Sequence, residues 1–494
     1  MLKKIRVALA IVVFVLVTML FLDFTGFFSD YFGWLAKMQF LPAVLALNVG
    51  VVLALLVLTV LFGRVYCSVI CPMGVMQDVF SHMGGWVKKN RFHHTKNPVW
   101  VRWGVLALFV VLMVAGLNAI AVLIAPYSAY GRMASHLFAP VYDWVNNLCA
   151  SVAEKHQSYA FYRVERHVRA MLVMVVALVT FLVVGVMSFF WGRLWCNSVC
   201  PVGTVLGLVS KFSLFRPVID TEKCNGCTKC ARNCKSQCID AKEHTIDMSR
   251  CVACFDCIGN CKQGAISYKF RPQKGQQKEA VDESRRKFVV TAAAVAAGGA
   301  LMAEEQKVDG GMAVILDREV PKRNVPLKPF GSKSVKRFAN HCTSCQLCVS
   351  ECPNHVLRPS KELGTFMQPE MGFEQGYCRP ECTRCSEVCP AGAIERITPA
   401  EKTSIHVGVA VYLPGNCVVN TDNVKCGNCA RHCPAGAITM VPKVKGEDPE
   451  LPMTLLVPTI DETRCIGCGA CEHLCPARPQ GAIFVEGREV HIAE

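Results

Sequence analysis

The sequence predicts an α-helical membrane domain, four spanning helices plus a fifth signal-anchor helix, that carries small cysteine-rich α+β modules. Three observations point there. Four apolar runs, Val7–Leu22, Leu41–Phe62, Gly104–Ile124 and Ala170–Phe190, contain no charged residue. Most of the 30 cysteines fall into closely spaced groups of four. A stretch rich in Ala, Gly and Val, Ser284–Ala303, divides those groups into an early and a late set.

Each apolar run can cross about 30 Å of hydrocarbon at about 1.5 Å per residue, with interfacial residues completing the first. Lys and Arg are distributed to match. Net charge is +3 over Met1–Arg6, −1 over Asp23–Phe40, +5 over Gly63–Trp103, +2 over Tyr127–Arg169 and +7 over Gly192–Arg286. The strongly positive segments are the N-terminus and every second connection, as the positive-inside rule requires. The N-terminus is therefore expected in the cytoplasm. The overall charge of +15 is a topology signal, and no nucleic-acid partner is expected. The four runs contain no histidine, which argues against a bis-histidine haem between the helices. Tyr127, Tyr130, Phe138, Tyr142, Trp144, Tyr159, Phe161 and Tyr162 crowd one outward loop. They form either an interfacial aromatic belt or a docking and quinol-access surface.

The membrane part, residues 1–203, contains a duplication. Gly63-Arg-Val-Tyr-Cys67-Ser-Val-Ile-Cys71-Pro-Met-Gly74 follows the second run, and Gly192-Arg-Leu-Trp-Cys196-Asn-Ser-Val-Cys200-Pro-Val-Gly203 follows the fourth. Cysteines four apart share a face of a helical turn, and the proline limits continuation of that turn. Two such turns can bring Cys67, Cys71, Cys196 and Cys200 together on a pseudo-twofold axis as a redox or metal site. Small buried cysteines in a duplicated hairpin are the competing reading.

Residues 204–270 form the first cofactor module. Cys224, Cys227, Cys230 and Cys234 are followed by Cys251, Cys254, Cys257 and Cys261, both at 2-2-3 spacing. In two-cluster ferredoxins three close cysteines hold one 4Fe–4S cluster and the fourth ligates the other. Cys224, Cys227, Cys230 and Cys261 should thus form one ligand set, and Cys251, Cys254, Cys257 and Cys234 the second. Zinc sites use two separated C-x2-C pairs instead. The proline usual after the fourth cysteine is replaced by Lys235 and Lys262, and Cys238 is a spare thiol that could stand in for Cys234.

Residues 271–303 are a polar linker and an export signal: Arg285-Arg286 precede a short, weakly apolar segment, the pattern of a twin-arginine address. Leu301 spoils a clean cleavage site, so the segment is expected to stay as a tether. Residues 304–494 carry four more groups: Cys342, Cys345, Cys348 and Cys352; Cys378, Cys382, Cys385 and Cys389; Cys417, Cys426, Cys429 and Cys433; Cys465, Cys468, Cys471 and Cys475. Partner groups could be adjacent or nested along the chain. The closely spaced triplets and the C-P-x-G-A-I endings argue against disulfides. Cluster loading in the reducing cytosol explains export in the folded state. Cys149 stands alone.

Residues 1–270 resemble the NapH/MauN membrane ferredoxins, and residues 284–494 the NapG/MauM exported ferredoxins. The resemblance implies a fusion of the two in a bacterial cytoplasmic membrane, with the first module inside and the second in the periplasm. It implies a quinol dehydrogenase component with six 4Fe–4S clusters, two cytoplasmic and four exported. Its expected partners are the quinone pool and membrane lipid, a periplasmic cytochrome or reductase, and the twin-arginine translocase during export. An electron-delivering maturation or reactivation factor for a periplasmic metalloenzyme, or a docking subunit with structural clusters, would use the same motifs.

Overall fold

The structure is a computed structural model that describes residues 2–87, 92–95, 99–158, 161–164, 171–270, 318–443 and 455–493. The twin-arginine segment and the fifth helix expected there lie outside the described residues, as does Tyr159. The main helices are α1 (Leu2–Leu22), α2 (Val49–Phe62), α3 (Pro72–Val87), α4 (Val99–Val114), α5 (Pro126–Met133), α6 (Ala139–Lys155), α7 (Met171–Trp191) and α8 (Pro201–Ser210).

Two of the four apolar runs are single helices. At 21 residues each, α1 and α7 are long and apolar enough to cross a membrane. The other two are interrupted. Within Leu41–Phe62, Leu47 takes a left-handed backbone (φ 53°) and Asn48 starts a new helix by accepting the Val51 N–H at 3.3 Å. A side-chain cap of this kind competes with helix continuation and replaces one long helix by Phe40–Leu45 and α2. Within Gly104–Ile124, Gly116 (φ 78°) ends α4 two residues before a short turn, Asn118–Ala121. Apolar composition set the length of these runs; polar and left-handed residues inside them set where the helices break.

The loop after α1 also departs from a simple outward connection. Gln39 and Phe40 are buried. Tyr66 Oη donates to Gln39 Oε1 at 3.0 Å and accepts the Phe40 N–H at 3.1 Å, so the loop folds back onto the first cysteine turn.

The duplication is expressed as a swap. α3, from the first repeat, packs along α7 of the second, and α8, from the second, packs on α2 of the first. Apolar side chains on the outer faces of α1, α4 and α7 remain exposed, among them Ile11, Val12, Leu108, Val111, Val179 and Leu182.

The cysteine modules are mostly loop, tied by two-stranded antiparallel ladders. Phe215–Ile219 pairs with Ile266–Phe270 in the first module. In the second, Leu357–Pro359 pairs with Pro369–Met371, Ile438–Pro442 with Leu456–Ile460, and Ile405–Tyr412 with Ile483–Ala493. The modules occupy opposite ends of α1. At its N-terminal end, Lys3 pairs with Asp256 at 2.9 Å. Just beyond its C-terminal end, Ser29 Oγ donates to Glu351 Oε2 at 3.3 Å. A 21-residue helix is about 31 Å long, close to the thickness of a hydrocarbon core.

Candidate iron–sulfur sites and the paired cysteine turns

In the first module one space is lined by Cys224, Cys227, Cys230 and Cys261. A second is lined by Cys251, Cys254, Cys257, Cys234 and also Cys238. The fourth cysteine of each group therefore crosses to the other, as the 2-2-3 spacing predicts. Cys238 Sγ lies 3.6 Å from Cys234 Sγ, so the spare thiol belongs to the second space. Lys235, which replaces the customary proline, has its own task. Its ammonium is buried and bridges Asp78 at 2.9 Å and Asp256 at 3.2 Å.

The same exchange operates in the C-terminal module, between groups adjacent in sequence. Cys348 interacts with Cys345, Cys342 and Cys389, and Cys385 with Cys378, Cys352 and Cys382. Cys465, Cys468 and Cys471 share a space with Cys433, while Cys417, Cys426 and Cys429 share one with Cys475. Burial pushes three of these thiols up, Cys345 and Cys378 to about 11 and Cys468 to about 12. A thiol held that high ionises only against a strong local cation, which iron supplies. Backbone N–H groups already aim at the sulfurs: Ala437 at Cys433 and Ala482 at Cys475, both 3.3 Å. Among the described residues no three Cys, His, Asp or Glu side chains close on a point that would hold a single metal ion. Sets of four thiols around wider spaces fit a 4Fe–4S cluster and do not fit zinc.

The sets follow one another in space in an order that differs from the sequence. The Cys342 set lies against the helical domain, where Tyr127 interacts with Cys345 and Cys389 and Ser135 Oγ meets Ser350 Oγ at 2.9 Å. The Cys378 set comes next. Its Cys378 N–H donates to the Cys468 carbonyl at 3.0 Å, which brings in the Cys465 set, and that set shares its fourth ligands with the Cys417 set. Tyr127 and Tyr130 are buried against Phe21 and Phe14 and so leave the aromatic surface expected of their loop. Trp144, Phe161 and Tyr162 remain exposed, and Cys149 is exposed on α6.

The paired turns converge. Gly63 (φ 75°) and Gly192 (φ 69°) end α2 and α7 in the left-handed region that only glycine enters at little cost. The chain then places Cys67, Cys71, Cys196 and Cys200 in one cluster, each at most 4% exposed. Arg64 and Arg193, both fully buried, cross between the repeats. Arg193 Nη1 donates to the Cys67 carbonyl at 2.7 Å, and Arg64 Nη2 to the Cys196 carbonyl at 3.2 Å. Cys200 Sγ accepts the Gly203 N–H at 3.3 Å and caps α8, with Pro201 at its first position. A methyl group at Gly74 or Gly203 would strike the carbonyl of Cys67 or Cys196 and the arginine above it. The arginines stand in both copies of the repeat, and that duplication was the sequence signal for them. Asp78 was not legible in advance. It accepts from Arg193 Nε at 2.7 Å and pairs with Arg6 at 2.8 Å.

Comparison with known proteins places these features. A family model described as a 4Fe-4S dicluster domain matches residues 341–393 and 424–478, which hold the two adjacent pairs of cysteine groups except Cys417. A model described as a 4Fe-4S binding domain matches residues 44–91 and 173–219, and so spans both C-x3-C-P turns. The methylamine utilization ferredoxin-type protein MauM of Methylobacillus flagellatus is 33% identical over 188 residues, covering 36% of this chain and 76% of that protein. The chain belongs to the NapG/MauM ferredoxin-type family. The ferredoxin-type protein NapG of Haemophilus influenzae is 26% identical over 225 residues, covering 42% of this chain and 74% of the relative. The ferredoxin-type protein NapF of Escherichia coli is 28% identical over 186 residues, covering 37% and 99%. No solved structure matches. This NapG/MauM-type chain is thus an iron–sulfur, ferredoxin-type electron-transfer protein with two candidate membrane helices.

Proposed function

We propose that the chain is a quinol-linked electron carrier of the bacterial cytoplasmic membrane, a NapH/MauN-like membrane ferredoxin joined to its NapG/MauM-like exported partner. Six cysteine sets would hold 4Fe–4S clusters, two on the cytoplasmic side and four on the periplasmic side, and each cluster would supply one-electron redox chemistry when bound. The acceptor would be a periplasmic reductase or cytochrome. The reading rests above all on the two cysteine modules at opposite ends of a helix about as long as a bilayer core is thick. It is supported by the alternating Lys/Arg count and by the twin-arginine motif between the modules.

The protein's own residues set the order. The Cys342 set sits on the helical domain beside Tyr127, and the Cys417 set is furthest along the series, where Cys426 and Cys429 are half-buried. The periplasmic acceptor is therefore expected to dock near the Cys417 set. Anaerobic EPR of the purified chain before and after addition of reduced menaquinone tests the proposal. Reduced-cluster signals that form within seconds support it. Signals that form only with dithionite reject a self-contained quinol dehydrogenase and favour delivery of low-potential electrons to a metalloenzyme under maturation.

A further inference from the structure

The second cluster space of the first module holds one thiol more than a cluster uses. It is lined by Cys234, Cys238, Cys251, Cys254 and Cys257, whereas a 4Fe–4S cluster takes four cysteine thiolates. Among the described residues the neighbouring space is lined by four cysteines only, Cys224, Cys227, Cys230 and Cys261. The extra thiol stands at a repeated place in the fold, four residues after the cysteine that crosses between sets. There the sequence has Ala265 after Cys261, Val356 after Cys352, Ala393 after Cys389 and Ala437 after Cys433, but Cys238 after Cys234. All five side chains are buried. Ala265, Val356 and Ala437 aim their N–H groups at the sulfur of the crossing cysteine, at 3.3, 3.4 and 3.3 Å.

Small apolar packing is what that place supplies in the other sets, and a cysteine can serve as a small hydrophobe. Cys238 does more. Its sulfur lies 3.6 Å from that of Cys234, and its side chain also interacts with that of Cys251, a ligand from the other half of the set. Two thiols therefore stand at one corner of the space. The chain between them is held from outside at every residue. The Lys235 carbonyl accepts the Arg193 N–H at 2.8 Å, the Ser236 carbonyl accepts from Asn197 Nδ2 at 3.3 Å, and Gln237 Nε2 donates to the Trp191 carbonyl at 3.1 Å. With the backbone fixed at these points, a change from one sulfur to the other needs only rotation between staggered side-chain wells.

We infer that Cys234 and Cys238 are interchangeable fourth ligands of one 4Fe–4S cluster, whose other three ligands are Cys251, Cys254 and Cys257. In the exchange the iron–sulfur bond to Cys234 breaks as one to Cys238 forms, and the thiol proton passes from Cys238 to the released Cys234 sulfur. Charge, electron count and the cluster core are unchanged. The inference rests on the reading of this module as a two-cluster ferredoxin. Residues 235–237 are also the contact to the second cysteine turn, so the helical domain holds the backbone on which both ligands sit.

The test compares the two crossing cysteines in the full chain, purified anaerobically, by iron and acid-labile sulfide content and by EPR of the dithionite-reduced protein. Cys261→Ala, with no thiol in reserve, should lose iron and a cluster signal. Cys234→Ala should keep the wild-type content and signal, and Cys234→Ala/Cys238→Ala should lose what the single variant keeps. Loss in Cys234→Ala equal to that in Cys261→Ala, or a double variant identical to Cys234→Ala, would overturn the inference. Should Cys234→Ala fail to fold, Ala265→Cys introduced into the Cys261→Ala chain decides. Restored iron supports ligation from that place in the fold, and no restoration overturns it. Iron unchanged in both Cys261→Ala and the double variant would reject the two-cluster reading itself, and the inference with it.

Discussion

The Cys378 N–H donates to the Cys468 carbonyl at 3.0 Å, and this one bond joins two ligand sets that lie 90 residues apart in the chain. It turns two ferredoxin pairs into a single series. The EPR spectrum of the fully reduced protein should show magnetic interaction between these two sets. Cys471→Ser, which removes a ligand of the Cys465 set, should simplify the spectrum while the Cys342-set signal persists. A spectrum whose coupling survives that substitution would place the interaction elsewhere.

Lys402 should set the potential of the Cys378 set. Its buried ammonium donates to Cys378 Sγ at 3.2 Å and to the carbonyls of Arg379 and Cys382, both at 2.6 Å. A hydrogen bond to a charged group is worth at least about 1.5 kcal/mol, and for one electron about 59 mV corresponds to a tenfold change in equilibrium. Lys402→Gln should lower the midpoint of one cluster by about 60 mV or more, read by redox titration.

Docking of the C-terminal module on the helical domain should weaken with rising pH. Burial pushes the Glu351 carboxyl up to about 7; Arg384 and Ser29 oppose this shift, and Asp23 and Asp30 reinforce it. The folded state holds the proton more tightly than the unfolded one. The stabilisation is therefore complete below the unfolded value of about 4.3 and is lost as pH rises through about 7, of order 3–4 kcal/mol in all. Thermal midpoints should fall between pH 5 and pH 8, and Glu351→Gln should flatten that slope.

Gly203→Ala should destabilise the cysteine turns by about 1–3 kcal/mol, because the new methyl meets the Cys196 carbonyl and Arg64. Gly85→Ala in α3, with nothing within 4 Å, should instead stabilise by about 0.5–1 kcal/mol. Differential scanning calorimetry in detergent distinguishes the two.

Asp78→Asn removes the carboxylate shared by Arg6, Arg193 and Lys235. Leaving those cations buried without it should cost about 3–5 kcal/mol. Looser attachment of the first module should follow, visible as faster proteolysis of residues 215–270.

Much of the protein was determined by the sequence alone, because its chemistry is local. Closely spaced cysteines stay close whatever surrounds them, so the six cysteine groups from Cys224 to Cys475, four of them at 2-2-3 spacing, and the expected crossing of the fourth cysteine were legible. The repeat around Cys67 and Cys196 was legible as a duplication for the same reason. What only the tertiary structure decided depends on residues far apart in the chain. Adjacent rather than nested pairing follows from Cys352 meeting the Cys378 set and Cys475 the Cys417 set. The spatial order of the sets rests on Cys378 and Cys468. The breaks in two apolar runs come from Asn48 and Gly116, which mean hydropathy averages away. Among the described residues Arg193 pairs with the Asp78 carboxylate while Arg64 bonds to Asn197 and to backbone carbonyls, with Gly207 standing where the first repeat has Asp78; that asymmetry becomes visible only when the groups around each buried cation have been placed.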